Sequence, residues 1–132
     1  MKTSGLSRLT PYLLSVLRIV AGFVFAAHGT QKLFGVPGHP FHAPVFGATL
    51  LFAAGVIETV GGTLMLLGLF TRPVAFVLSG QMAFAYFTQH APAGPWPILN
   101  GGELAVLYCF VWLFFCAAGP GPISLDALRG RR

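Results

Sequence analysis

Four apolar runs of about 17 to 25 residues follow one another along the chain, separated by clusters of Gly, Pro and polar residues. Each is long enough to cross a hydrocarbon core of ~30 Å as a helix. The pattern predicts helices over about residues 11–34, 47–70, 73–89 and 101–118. In the first run Arg18, Gly22, Phe25, Gly29 and Lys32 recur at alternating spacings of four and three and share one stripe, with Ala21 and His28 on its shoulder. In the second, Gly55, Glu58, Thr59 and Gly62 fall on one face. Glycines along such faces let two helices approach closely, and the charged residues beside them must turn toward the neighbour rather than lipid. Gln81 falls near the middle of the third run.

The breaks carry their own signals. Thr10-Pro11 opens the first helix. Gly35 through Phe46 is too rich in proline for a regular helix and is expected to lie at the interface as a lid or half-buried loop. Thr71-Arg72-Pro73 makes a short turn, Trp96 is placed as an interfacial anchor, and Asn100-Gly-Gly-Glu103 reads as an N-cap with an acid in the first turn. Gly119-Pro-Gly-Pro122 stops the last helix.

Composition agrees with the pattern. Of 132 residues, 55% are apolar and 8% charged, too few polar groups to cover a soluble domain. The chain is therefore expected to form one integral membrane domain over residues 1–132, an all-α bundle of four transmembrane helices lying in the bilayer of the cytoplasmic (inner) membrane. The net charge of +5 is not a nucleic-acid surface, because the basic residues flank the apolar runs. Lys2, Arg8, Arg72, Arg129, Arg131 and Arg132 fall to one side and Lys32 to the other, so the positive-inside rule places both termini in the cytoplasm. Arg18 interrupts the first apolar run, which favours a first transmembrane helix over a cleaved leader.

Glu58 is the costliest residue, at roughly 2.5 to 3.5 kcal/mol near mid-membrane, and it needs a partner. Two readings stay open: a structural ion pair, or a group that relays protons or touches a substrate. By helix rise Arg18 sits about 10 Å and Glu58 about 18 Å from the cytoplasmic side, within reach of each other, which leaves Lys32 to face Glu103. Glu58 and His28 are the candidate proton-handling residues. Arg18, Lys32, Gln81, His90, Trp96 and Glu103 are candidate substrate contacts, because polar groups from several helices converge on the outer half. Glu103 also serves as an ordinary first-turn carboxylate. No metal is expected: Pro40 separates His39 from His42, and no Cys or carboxylate stands near them. Cys109 and Cys116 lie about 10 Å apart along one helix, too far to bridge. No P-loop, dinucleotide fingerprint or nucleophile with its base is present, so electrons would come from a lipid-soluble carrier or a partner protein.

Taken together, Arg18 with His28-Gly-x-x-Lys32-Leu-Phe-Gly35, Glu58-x-x-Gly-Gly62 with Gly68-Leu-Phe-Thr-Arg72, Gly-Gly-Glu103, and Gly-Pro-Gly-x-x-Ser124-Leu-Asp126 make a set. In these blocks and their order the chain resembles the DoxX family of small four-helix membrane proteins. The resemblance implies a membrane oxidoreductase or a subunit of one, since a relative is the quinone-linked membrane part of a thiosulfate-oxidising enzyme. It implies a quinone-like molecule bound in the outer half without a covalent cofactor, and a soluble redox partner or a homo-oligomer. Two other functions suit the residues: a small proton-coupled carrier or exporter using Glu58, and a non-catalytic membrane scaffold for a partner protein.

Overall fold

A computed structural model describes residues 5–38 and 49–131. The loop expectation beyond residue 38, including His39 and His42, lies outside the described residues, as do Lys2 and Arg132. Among the described residues there is no strand. Helix α1, Thr10–Phe34, follows a 3-10 turn at Gly5–Leu9 and ends at Gly35 in the left-handed region. Helices α2 (Thr49–Leu67), α3 (Thr71–Ala85), α4 (Pro97–Asn100), α5 (Glu103–Ala118) and α6 (Leu125–Leu128) complete the chain.

Several boundaries differ from the apolar pattern: α3 begins at Thr71, inside the expected turn, and gives way to a π turn at Tyr86–His90. α2 stops at Leu67 instead of residue 70 because Gly68 (φ 66°) and Phe70 (φ 52°) are left-handed and break the hydrogen-bond ladder. α5 starts at Glu103 because Asn100 closes the short α4, with Gly101 left-handed behind it (φ 73°). The Asn100 side chain then accepts from Gly102 N–H at 2.8 Å and does not cap α5 itself.

α1 and α2 pack backbone against backbone. A methyl group at Gly62 would stand 2.5 Å from Ala26 N, and one at Gly22 would stand 2.5 Å from Leu66 N. The stripe read from the sequence is this seam: Ser15, Arg18, Gly22, Phe25 and Gly29 are the buried residues of α1. α3 and α5 form the second tight pair, with Ser79 Oγ donating to Cys109 O at 2.8 Å. Aromatic rings join the two pairs. Phe25 of α1 meets Tyr108 and Trp112 of α5 at centroid distances of 4.9 and 5.2 Å, over a core that includes Met65 and Leu78. The outside is apolar too, with Leu13, Val20, Phe23, Phe52, Val60, Phe76, Leu107 and Phe110 exposed. Such a surface needs a non-aqueous surround. Gly5–Phe34 and Leu50–Leu67 are each long and apolar enough to cross a membrane.

One end of the bundle is locked by charged side chains acting on backbone. Arg18 is fully buried and donates to Pro120 O at 2.8 Å, to Leu66 O at 2.7 Å, and to the carbonyls of Met65 and Ile123. It therefore caps the C-terminal end of α2 and pins the chain that follows α5. Arg72 does the same for α5, donating to Cys116 O at 2.9 Å and Ala117 O at 2.5 Å. Asp126 covers the opposite kind of end, accepting from Phe70 N at 3.0 Å and Thr71 N at 2.8 Å where α3 begins. Burial works to raise the Asp126 carboxyl, but the Thr71 and Phe70 N–H donors and the charge of Arg129 outweigh it, and the group is held below the ordinary carboxylate range.

Candidate functional site

At the other half of the bundle Glu58 projects inward from α2 and is buried. Its partner is Lys32, whose Nζ lies 2.6 Å from Oε1 and also bonds Oε2. Gln81 Nε2 of α3 donates to Oε1 at 3.1 Å. The expected pairings, Arg18 with Glu58 and Lys32 with Glu103, are both replaced. Arg18 instead donates to the backbone carbonyls of Met65, Leu66, Pro120 and Ile123 at the far end. Lys32 is steered by the glycine seam: its Cβ packs over Gly55, where a methyl group would stand 3.2 Å away, so its chain runs along α2 to the carboxylate almost one turn on. Glu103 is exposed at the start of α5.

The Lys32 and Glu58 side chains face a cavity of about 230 Å³ between the two helix pairs. His28, His90 and Tyr108 add polar groups to its wall, and Phe25, Met82 and Leu104 add apolar ones. His90 reaches the wall through an irregularity in the helix. Met82 and Ala85 line the cavity from α3, and a regular helix would next present residue 89, four beyond Ala85. Instead α3 runs into a π-helical turn at Tyr86–His90, closed by Ala91 N–H on Tyr86 O, so the fifth residue takes that place. Gln89 is left exposed and His90 lines the cavity.

The loop between α3 and α5 positions His90. Its Nδ1 lies 3.1 Å from Asn100 O, and its ring stacks on Tyr86 at 6.5 Å between centroids. Asn100 Nδ2 donates to Gly94 O at 2.8 Å and to the Tyr86 hydroxyl at 3.3 Å, tying the loop to the π turn.

Of the residues singled out from sequence, the fold brings His28, Lys32, Glu58 and His90 to one cavity, with Gln81 directly behind Glu58. Arg18, Trp96 and Glu103 stand elsewhere: Arg18 is committed to capping, Trp96 is 66% exposed, and Glu103 is exposed on α5. Tyr108 was not singled out, because one tyrosine in an apolar run reads as core. Cys109 and Cys116 are both free thiols. Among the described residues no three His, Cys, Asp or Glu side chains gather in a group suited to a metal. What the wall offers is a fixed cation, a buried carboxylate, two imidazoles and a phenol around an apolar interior, a set suited to a flat polar-edged ring and to moving protons at its edge.

The family model described as DoxX matches residues 13–91 of this chain. An uncharacterized protein of Haemophilus influenzae is 45% identical over 128 residues, covering 93% of this chain and 95% of its own. CatD of Bacillus subtilis, which carries the name of a proposed oxidoreductase, is 26% identical over 84% of this chain and 82% of its own. The Escherichia coli inner membrane protein YphA is 29% identical over 88% of this chain and 89% of its own. No solved structure matches.

Proposed function

This chain belongs to the DoxX family of membrane proteins, and from that premise we propose that it is the membrane subunit of an oxidoreductase whose cavity holds the ring of a quinone-like molecule. In this reading α1, α2, α3 with its π turn, and α5 all cross the inner membrane, with both termini in the cytoplasm. Arg72, Arg129 and Arg131 then stand at the cytoplasmic end beside the Asp126 cap, and the cavity opens toward the outer half.

The observation that carries the proposal is the Lys32 and Glu58 pair, its carboxylate buried, on the wall of a cavity lined by both polar and apolar side chains. A structural ion pair needs no cavity beside it, whereas an ionisable pair facing one inside a membrane bundle marks a site. The space fits: a cavity of roughly 150 Å³ holds benzene, so about 230 Å³ takes one substituted ring. A bound quinone supplies the exchange of two electrons and two protons, the electrons passing to or from a redox partner protein. Lys32 donates a hydrogen bond at the ring's edge, Glu58 aims Lys32, and Gln81 fixes Glu58. Phe25, Met82 and Leu104 keep water from the ring.

Purified protein is extracted with organic solvent and analysed by mass spectrometry for bound quinone, then assayed for quinol-dependent reduction of an artificial acceptor. Bound quinone in the native protein, lost in Lys32→Met, is the expected result. No bound quinone and no turnover would refute the proposal. Proton flux in proteoliposomes that disappears in Glu58→Gln would point to a carrier instead.

A further inference from the structure

We propose that the cavity selects the reduced, hydroxyl-bearing form of its ring ligand, an aromatic diol, over the oxidised dione, and that His90 makes the selection. This rests on the cavity reading above and adds the redox state of what is held. The argument starts from Asn100. A backbone carbonyl only accepts hydrogen bonds, so the contact between Asn100 O and His90 Nδ1 requires the proton to sit on Nδ1. In the neutral imidazole Nε2 is then a bare lone pair. Among the described residues His90 has no other hydrogen-bond partner, and it lines the cavity, so Nε2 is the ring atom left to a ligand, as an acceptor.

The donor end of the site is elsewhere. Lys32 has only N–H groups to give, and it stands with Glu58 and Gln81 at one depth. His90 lies nine residues beyond Gln81, at the end of the π turn, and lines the same cavity as Lys32. A dione carries two acceptor oxygens: one suits Lys32, and the other meets the Nε2 lone pair with nothing to share. A diol accepts from Lys32 at one oxygen and donates to Nε2 from the other. Tyr108 and His28 on the remaining wall serve either form and do not discriminate. The π turn is what commits the helix to this arrangement, since a regular helix would present Gln89 there.

Duroquinone and its quinol are titrated by calorimetry under argon into the full chain in lipid nanodiscs. The expected result is quinol affinity about tenfold above quinone affinity, the size of one good hydrogen bond gained in place of a mismatch. His90→Leu is expected to remove that ratio by weakening quinol alone, while His90→Gln, which can present an acceptor oxygen, keeps part of it. Adding Gln89→His to His90→Leu is expected to restore nothing, because position 89 faces outward. Equal affinities in the unaltered protein, or an equal loss of both forms in His90→Leu with His90→Gln no better, would overturn the inference and leave the cavity reading standing. Binding of neither form would overturn both.

Discussion

The Lys32 ammonium meets both oxygens of the Glu58 carboxylate, and of the two side chains the carboxylate is the deeper, 3% exposed against 24%. A pair so placed is held as much by what its loss would strand as by its own attraction. Removing one partner leaves the other charged in a low dielectric, a loss of about 3 to 5 kcal/mol, while removing both costs far less. Lys32→Met and Glu58→Leu are each expected to lower the melting temperature and the yield in detergent, and the double variant to recover most of both. Additive losses would mean that the two side chains act separately.

Arg18 is expected to be the least replaceable charge in the chain. It serves four backbone carbonyls from two segments, and although Met65 O keeps the Gly68 N–H, Arg18→Leu takes the partner from Leu66 O, Pro120 O and Ile123 O, at about 1 to 3 kcal/mol each. Arg18→Lys keeps the charge but loses the planar fork that reaches α2 and the 120–123 chain together, and should recover only part. Thermal melts of the two variants check the order. Equal stability in all three proteins would mean that water satisfies these carbonyls.

The seam itself was legible, because a period of three and four is a property of the residues and needs no tertiary knowledge: Arg18, Gly22, Phe25 and Gly29 are buried together as that spacing requires. The partners were not legible. Arg18 finds Met65 and Leu66 only because α2 ends at Leu67, and that early end is set by left-handed Gly68 and Phe70 inside a stretch that reads as continuous helix. Its other acceptors, Pro120 and Ile123, lie more than a hundred residues away, and no local pattern brings them near. Once Arg18 is committed there, Glu58 is left to Lys32. The site was half legible: His28, Lys32, Glu58 and His90 stood out as polar groups in apolar runs, but His90 joins them through a π turn, which hydrophobic periodicity does not announce.

Asp126 gives the fold an acid limit. Its carboxyl is held below the ordinary value by N–H donors that exist only when α3 starts at Thr71. A lowered folded pKa means the unfolded chain binds the proton more readily, so this stabilisation is fully present above the ordinary range near pH 4 and is lost as pH falls through the folded value. Melting temperature against pH is the measurement. The gap between the unaltered protein and Asp126→Ala should be constant above about pH 5 and shrink below about pH 4. A gap that does not change with pH would show that the cap acts without its charge.

The glycine seam yields the sharpest contrast between neighbouring substitutions of one kind. At Gly29 an added methyl group would stand 2.8 Å from Gly55 O and closer still to Thr59 N, and at Gly62 it would stand 2.5 Å from Ala26 N. These are backbone atoms of the facing helix, so neither site relaxes by turning a side chain. The only relief is to part α1 from α2, which would draw Lys32 away from Glu58 and Arg18 away from the end of α2. Gly29→Ala and Gly62→Ala are each expected to cost about 1 to 3 kcal/mol, the range for overpacking. Gly80, in the helix interior of α3, has no atom within 4 Å of the same added methyl group. There the substitution only removes backbone freedom from the unfolded chain, and Gly80→Ala should be neutral or stabilising by about 0.4 to 1 kcal/mol. Denaturant titration of the three variants in the same detergent gives the comparison. If Gly29→Ala and Gly62→Ala prove as mild as Gly80→Ala, the two helices do not meet backbone to backbone, and the route by which Lys32 is steered to Glu58 fails with them.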